Sequence, residues 1–332
     1  MTGGVLVTGA NGFVGSHLVE RLVARGVRVR VLVRSTSRVD ALPASAVEFA
    51  YGEMTDANSL VAAATGVHTV FHLAGVTRAP QEAAYQRINV EGTRALAAAA
   101  RDAGVGRFVL VSSLAAGGPS QPGSPRSERD TDAPMDPYGR SKLAGEHALR
   151  EVAGNLAWCV VRPAAVYGPR DLDFLKLAAM VRRGWRLEIS GPPQRVSVIH
   201  VGDAAQGILA ASERAENGGV YYLAHAETTT WPEICRVMGR HMRRGTRPLW
   251  VPRAAIGPVA GIAGFLARLA GKPSPLPRDR VAALLAPAWT CDTGRATREL
   301  GFTASVGLDE GMRETVAWYA RNGYLKGVQA AA

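Results

Sequence analysis

Cysteine is scarce in this chain of 332 residues. Cys159, Cys235 and Cys291 are odd in number, far apart and outside any C-x-x-C or Cys/His spacing, which excludes a disulfide framework and a Cys/His metal site. A reducing, cytoplasmic setting is the expectation. Lysine is nearly as rare: Lys142, Lys176, Lys272 and Lys326 are the lysines present, so arginine carries most of the formal charge of +11. Those arginines are dispersed rather than gathered into runs or interleaved with aromatics, which form only 6% of the chain, so no nucleic-acid partner is expected. Long apolar runs are missing too. Met1 to Gly15 lacks the basic start and apolar stretch of a signal peptide. The longest apolar segment, Ala254 to Ala267, is broken by Gly257, Pro258, Gly261 and Gly264. It falls short of the roughly 20 residues that span a bilayer.

With 47% apolar and 20% charged residues, the chain can bury a substantial core. Up to about residue 165, short β-branched runs alternate with Ala/Arg/Glu-rich stretches. Strands are expected at Val5–Thr8, Val27–Val33, Val47–Tyr51, Thr69–Leu73, Phe108–Ser112 and Trp158–Arg162, and helices near 12–25, 56–65, 81–103 and 138–153. This alternation predicts an α/β fold, a doubly wound parallel sheet with helices on both faces. Gly117 to Pro137, rich in Gly, Pro and Ser, reads as a long surface loop of the kind that serves as a lid. Beyond 166 the alternation weakens. Val196–Val201 is expected to return to the sheet, and Trp231 to Pro277 reads as mostly helical.

Between the first strand and first helix, Gly9-Ala10-Asn11-Gly12-Phe13-Val14-Gly15 spaces three glycines as G-x-x-G-x-x-G. Glycines there allow a tight turn, backbone approach to a pyrophosphate and close helix packing, while the helix N-terminus offers free N–H groups to an anion. A dinucleotide is the expected ligand. The second strand ends in Arg34-Ser35-Thr36-Ser37-Arg38, without the carboxylate that takes the 2′-hydroxyl of NAD. Arg34 and Arg38 would suit a 2′-phosphate, which favours NADP over NAD.

Tyr138 and Lys142 lie four residues apart, so a helix places them on one face. A phenol with a pKa near ~10 is a poor base at neutral pH, and a nearby ammonium is expected to lower that pKa. Ser112 and Ser113 follow the fifth strand, at the sheet edge where such folds bind ligands, and a hydroxyl there can hold a carbonyl oxygen.

These residues resemble the extended short-chain dehydrogenase/reductases. The resemblance is carried in order by Thr8 to Gly15, His72-Leu73-Ala74-Gly75, Asn89-Val90-Glu91-Gly92-Thr93 and Val111-Ser112-Ser113. It continues through Tyr138-Gly139-Arg140-Ser141-Lys142, Arg162 to Pro169 and Ile199-His200-Val201-Gly202-Asp203. It implies that Tyr138 is the general acid/base, that Lys142 is its partner and a ribose ligand, and that Ser113 polarises the substrate, with Ser112 the adjacent candidate. It also implies cofactor contacts from Gly9, Asn11, Gly12, Phe13, Val14, Gly15, Leu73, Ala74, Gly75, Asn89, Tyr138, Lys142 and the backbone near Pro163, with Asn89 also supporting the fourth and fifth strands. Glu53 and Met54 stand where many relatives contact the adenine. The dinucleotide-binding domain would comprise 1–165 and about 196–225. The substrate-binding domain, smaller and mostly helical, would comprise about 166–195 and 226–328.

Sugar-nucleotide members of the family carry an arginine where this chain has Val196, with Arg195 displaced by one. The C-terminal region is instead similar to hydroxysteroid dehydrogenases, dihydroflavonol reductases and related ketone reductases. The resemblance therefore implies NADP-dependent interconversion of a ketone and an alcohol on a largely hydrophobic substrate. A sugar-nucleotide epimerase or dehydratase with bound NAD is the alternative. Ala254–Ala270 has three readings: a helix packed on its own domain, a roof over an apolar substrate, or a peripheral membrane contact flanked by Arg253, Arg268 and Lys272. Relatives are often homodimers, which makes a homodimer a further expectation.

Overall fold

A computed structural model describes residues 3–78, 81–269 and 278–325. Its centre is a seven-stranded, wholly parallel sheet. Six strands lie in the first half of the chain: β1 (Gly4–Thr8), β2 (Val29–Val33), β3 (Val47–Tyr51), β4 (Val67–His72), β5 (Arg107–Val111) and β6 (Trp158–Pro163). Their spatial order is β3-β2-β1-β4-β5-β6, and Gly219–Leu223 adds a seventh strand beside β6. Order reverses between β1 and β4, which opens a crevice at their carboxyl ends, the ligand-binding edge of doubly wound sheets.

Both faces are covered, as continuous apolar strands require. Helices Phe13–Ala24 and Val201–Arg214 pack Leu18, Leu22, Ile208 and Leu209 against one face. Helices Ala57–Ala64, Gly92–Asp102 and Pro137–Val152 pack Leu60, Leu96 and Leu149 against the other. Each of these leucines is fully buried, worth about 1.5–3 kcal/mol per side chain relative to exposure. A third cluster, with Tyr167, Phe174, Met238, Met312 and Tyr319, forms the core of the C-terminal half.

The helix expected over 81–103 is broken into Glu82–Tyr85, a π-helical segment Gln86–Glu91 and Gly92–Asp102. Val196–Val201 does not return to the main sheet. Val198–His200 pairs with Ala165–Tyr167, Arg195–Val196 pairs with Thr229–Thr230 and Ala288–Trp289, and Val201 already begins a helix. Val196 and Val198 bury in the C-terminal core rather than the central one, which satisfies their apolar alternation without a place in the sheet.

The loop read as a lid is tied down. Ser120 donates its backbone N–H to Ala288 O at 3.0 Å, and Arg126 N donates to Thr290 O at 2.9 Å. Ser120 Oγ also lies 2.8 Å from Thr290 Oγ1. The helical reading of the C-terminal region holds for Trp231–His241 and Arg253–Leu269, with the strand Arg247–Val251 between them. Ala270, Lys272 and residues 326–328 lie outside the described residues.

Candidate active site

Helix Pro137–Val152 begins where Asp136 accepts a 2.6 Å hydrogen bond from Gly139 N and Pro137 supplies a preset φ. This cap places Tyr138 in the first turn and Lys142 one turn later. The helix sits close to its neighbours because two glycines permit it. A Cβ at Gly139 would stand 2.4 Å from Ala115 O, and one at Gly145 would stand 2.6 Å from Asn89 O. Ser113 accepts from Ala115 N at 3.1 Å, capping the short helix Leu114–Gly117, and it is also hydrogen-bonded to Tyr138. Ser112 points elsewhere: its hydroxyl donates to Glu146. The two adjacent serines are thus distinguished, and Ser113 is the one that faces the phenol.

Tyr138, Lys142 and Ser113 line one cavity of about 1190 Å³ together with Gly9, Asn11, Gly12, Phe13, Val14 and Gly15. Leu73, Gly75 and Pro163 also line it. The loop fits a dinucleotide on its own geometry. Gly9, at φ +68°, passes so close to β4 that a Cβ would meet Ala74 N at 2.6 Å, and a Cβ at Gly15 would meet Gly9 O at 2.1 Å. Helix Phe13–Ala24 has no side-chain cap and no acidic residue in its first turn, so its leading N–H groups are left for an anion.

Burial pushes the Tyr138 phenol up to about 12, opposed by the hydrogen bond with Ser113. Burial also pushes Lys142 down to about 8, opposed by the Glu146 carboxylate. The expectation that Lys142 lowers the phenol's pKa is not met in this arrangement. The ammonium instead donates to Val111 O at 2.7 Å. A Cβ at Gly75 would crowd Asn89 Oδ1 at 3.1 Å and stand in ordinary contact, 3.8 Å, with Lys142 Nζ.

A smaller cavity of about 510 Å³ continues past the glycine loop, lined by Arg34, Ser37, Glu53, Met54, Leu73, Ala74 and Gly75. Arg38 is outside both linings. Its guanidinium is almost fully exposed and pairs with Asp40 at 3.3 Å, while its carbonyl accepts from Asn11 Nδ2 at 3.2 Å. Of the two arginines expected at a 2′-phosphate, the structure brings Arg34 to the cavity and leaves Arg38 in solvent. Asn89 is also outside both linings. It accepts from Val76 N at 2.7 Å and donates to Val76 O at 3.0 Å and Ser141 Oγ at 2.9 Å. Asn89 positions the segment after β4 against the Tyr138 helix, which corrects its expected role as a cofactor contact.

Several residues beneath the site escaped the sequence reading. Arg162 is buried between two carboxylates, donating to Glu146 at 2.6 and 3.0 Å and to Asp132 at 2.6 and 2.9 Å, and it also reaches Tyr222. With Lys142, these charges balance. The signal was faint: Glu146 follows Lys142 by four residues, one turn along the same helix face. His72 is fully buried between Thr8 Oγ1 at 2.7 Å and Thr93 Oγ1 at 3.0 Å. Burial, with Lys142 nearby, holds His72 down at about 3, so it is neutral. The three cysteines are free and buried, and burial raises each thiol above its ordinary range.

A parallel sheet in this strand order, with a glycine loop and a Ser113/Tyr138/Lys142 cluster at its carboxyl edge, defines the class of dinucleotide-dependent α/β enzymes. The chain belongs to the NAD dependent epimerase/dehydratase family, whose profile matches residues 5–224. Among curated proteins it is similar to a ceramide reductase of Caulobacter vibrioides, at 34% identity covering 97% of this chain and 96% of the relative. Among solved structures, gox2253 matches with a TM-score of 0.85 at 28% identity, covering 98% of this chain and 100% of that one. MoeE5 in complex with UDP-glucose and NAD matches with a TM-score of 0.76 at 27% identity, covering 96% and 99% respectively. The chain is therefore an oxidoreductase-type enzyme of that family.

Proposed function

We propose that the chain catalyses NADP(H)-dependent interconversion of a ketone and a secondary alcohol on a largely apolar substrate. The observation that carries this reading is the convergence of Ser113, Tyr138 and Lys142 on a cavity shared with the uncapped glycine loop. The cofactor would rest on the unit formed by residues 1–165 and about 196–225, and the substrate on the remainder. Gly9 to Gly15, Leu73, Ala74, Gly75 and Pro163 would hold the dinucleotide, with Glu53 and Met54 on its adenine side. A bound nicotinamide would supply or accept the hydride.

Tyr138 gives the carbonyl oxygen its proton in reduction and recovers it in oxidation. Its raised pKa keeps it protonated at neutral pH, the state a donor needs. Ser113 hydrogen-bonds the same oxygen and stabilises charge developing there. Lys142, oriented by Val111 O, would offer its positive charge to the ribose. Arg34 lines the smaller cavity with Ser37, which supports a 2′-phosphate.

The apolar substrate is supported by near full-length similarity to a protein named as a ceramide reductase. It is also supported by Arg195, whose guanidinium is engaged by Thr228 Oγ1 at 2.6 and 3.0 Å rather than turned into either cavity. The competing reading, a sugar-nucleotide enzyme, draws on the likeness to MoeE5 with UDP-glucose. Purified protein distinguishes them. Oxidation of added NADPH by apolar ketones, abolished in Tyr138→Phe, is expected. Tightly retained NAD with turnover of nucleotide sugars and none of ketones would overturn the reading.

A further inference from the structure

Helix Arg253–Leu269 has two unlike faces. Ile256 and Ala260 are buried, whereas Val259, Ile262, Phe265 and Leu266 are 57%, 63%, 57% and 58% exposed. Their spacing of three, three and one residues puts them on one side of the helix. The strand just before it, Arg247–Val251, pairs in parallel with Trp185–Ile189. Leu249 is in register with Leu187, and Arg247 with Trp185, so these side chains share one face of the ribbon. Trp185, Leu187 and Leu249 are all exposed there.

Charge is equally one-sided. Between Ile234 and Arg278 the sequence contains no Asp or Glu and nine Arg or Lys residues. Arg236 and Arg240 are paired with Glu233 and Asp309. Arg243, Arg244 and Arg247 are exposed and make no ion pair among the described residues. Glu188, on the ribbon's other face, is held by Arg186 at 2.6 Å and offers no counter-charge to them.

We propose that this face docks on a bilayer surface containing anionic phospholipid, with the Val259/Ile262/Phe265/Leu266 stripe at the acyl boundary and the arginines among the headgroups. A second copy is the poorer occupant, because a two-fold contact would set the same cationic flank against itself. Among the described residues no helix is long and apolar enough to cross a membrane, so the contact is peripheral. It stands apart from the carbonyl chemistry, since none of these side chains lines the cavity that holds Tyr138.

Co-sedimentation of the full chain with vesicles tests it, comparing phosphatidylcholine alone with phosphatidylcholine mixed with phosphatidylglycerol. Binding to the mixed vesicles, lost at about 1 M salt where screening falls to about 3 Å, is expected. Each arginine near an anionic surface contributes about fivefold, so Arg243→Glu/Arg247→Glu should weaken binding by more than about tenfold. Ile262→Ser/Phe265→Ser should weaken it without changing the melting temperature or turnover of a water-soluble ketone. Failure to bind the mixed vesicles overturns the proposal. So does a stable dimer in light scattering that the Ile262→Ser/Phe265→Ser variant dissociates.

Discussion

The ammonium of Lys142 donates 2.7 Å to the carbonyl of Val111, the last residue of β5, and not to the phenol one turn before it on the same helix. The strand end therefore fixes where the positive charge lies. With Lys142 held down at about 8, its charge is present at neutral pH and lost as pH rises through that value. The rate kcat/KM for ketone reduction is expected to fall above pH ~8. Lys142→Met should lower the rate by about 10²-fold or more and remove that limb, as a pH–rate profile of both proteins would show.

Tyr138→Phe should lower kcat by about 10²–10⁴-fold while leaving NADPH binding within about twofold, because the hydroxyl contributes the proton and little of the cofactor's surface. Ser113→Ala should cost about 10²-fold in kcat and also about 1 kcal/mol of stability, since the same oxygen caps Leu114–Gly117. Ser112→Ala, which touches Glu146 and not the phenol, should affect stability more than rate. Steady-state kinetics and thermal melts on the three variants check the distinction.

Arg34 and Arg38 carry opposite predictions. Arg34→Ala should raise the KM for NADPH by about tenfold or more and spare that for NADH, as expected when a charge-assisted contact to phosphate is removed. Arg38→Ala should change neither, because its side chain is in solvent beside Asp40. Equal effects from both would place the 2′-phosphate outside the Arg34 cavity.

Acid should destabilise the fold through His72. Its pKa is about 3 when folded against 6.5 when free, so the unfolded chain binds the extra proton in that window. Stability is thus full above pH 6.5, falls as pH drops toward 3, and is steady below, at about 1.4 kcal/mol per pH unit for this one group. His17 and His200, also lowered by burial, act in the same direction. Urea unfolding of wild type and His72→Gln across pH 4 to 7 isolates the His72 share: the variant's slope should be shallower.

Glu146→Gln should destabilise the protein by about 3–5 kcal/mol, because Arg162 and Lys142 would remain buried with one counter-charge fewer. A melting-temperature loss without any change in the cofactor's KM would identify the cluster as support for the site.

What could be read in the residues was what repeats locally. Strands β1 to β6 stand out as β-branched runs, and Gly9 to Gly15, Tyr138 and Lys142 declare themselves by spacing. Gly219–Leu223 does not stand out as a strand because Val-Tyr-Tyr-Leu holds a single β-branched residue, where β1 has Val-Leu-Val-Thr. Asn89 looked like a cofactor contact because spacing cannot tell which side of a helix faces a cavity, and the π-helical segment around it shifts that face. The Asp132, Glu146 and Arg162 cluster joins three elements through tertiary contacts, which no local pattern announces.

The tie between Ser120 and Thr290 spans 170 residues of chain. Closing so long a loop is slow, and synthesis delivers its far end last. On the ribosome, the sheet and the Tyr138 helix can assemble well before residue 290 emerges. The dinucleotide cradle would thus be complete, with Asp132 already held by Arg162, while the 120–126 segment still lacks its anchors at Ala288 and Thr290. A nascent chain halted before residue 288 should accordingly be cut by protease in that segment, and a finished chain should resist.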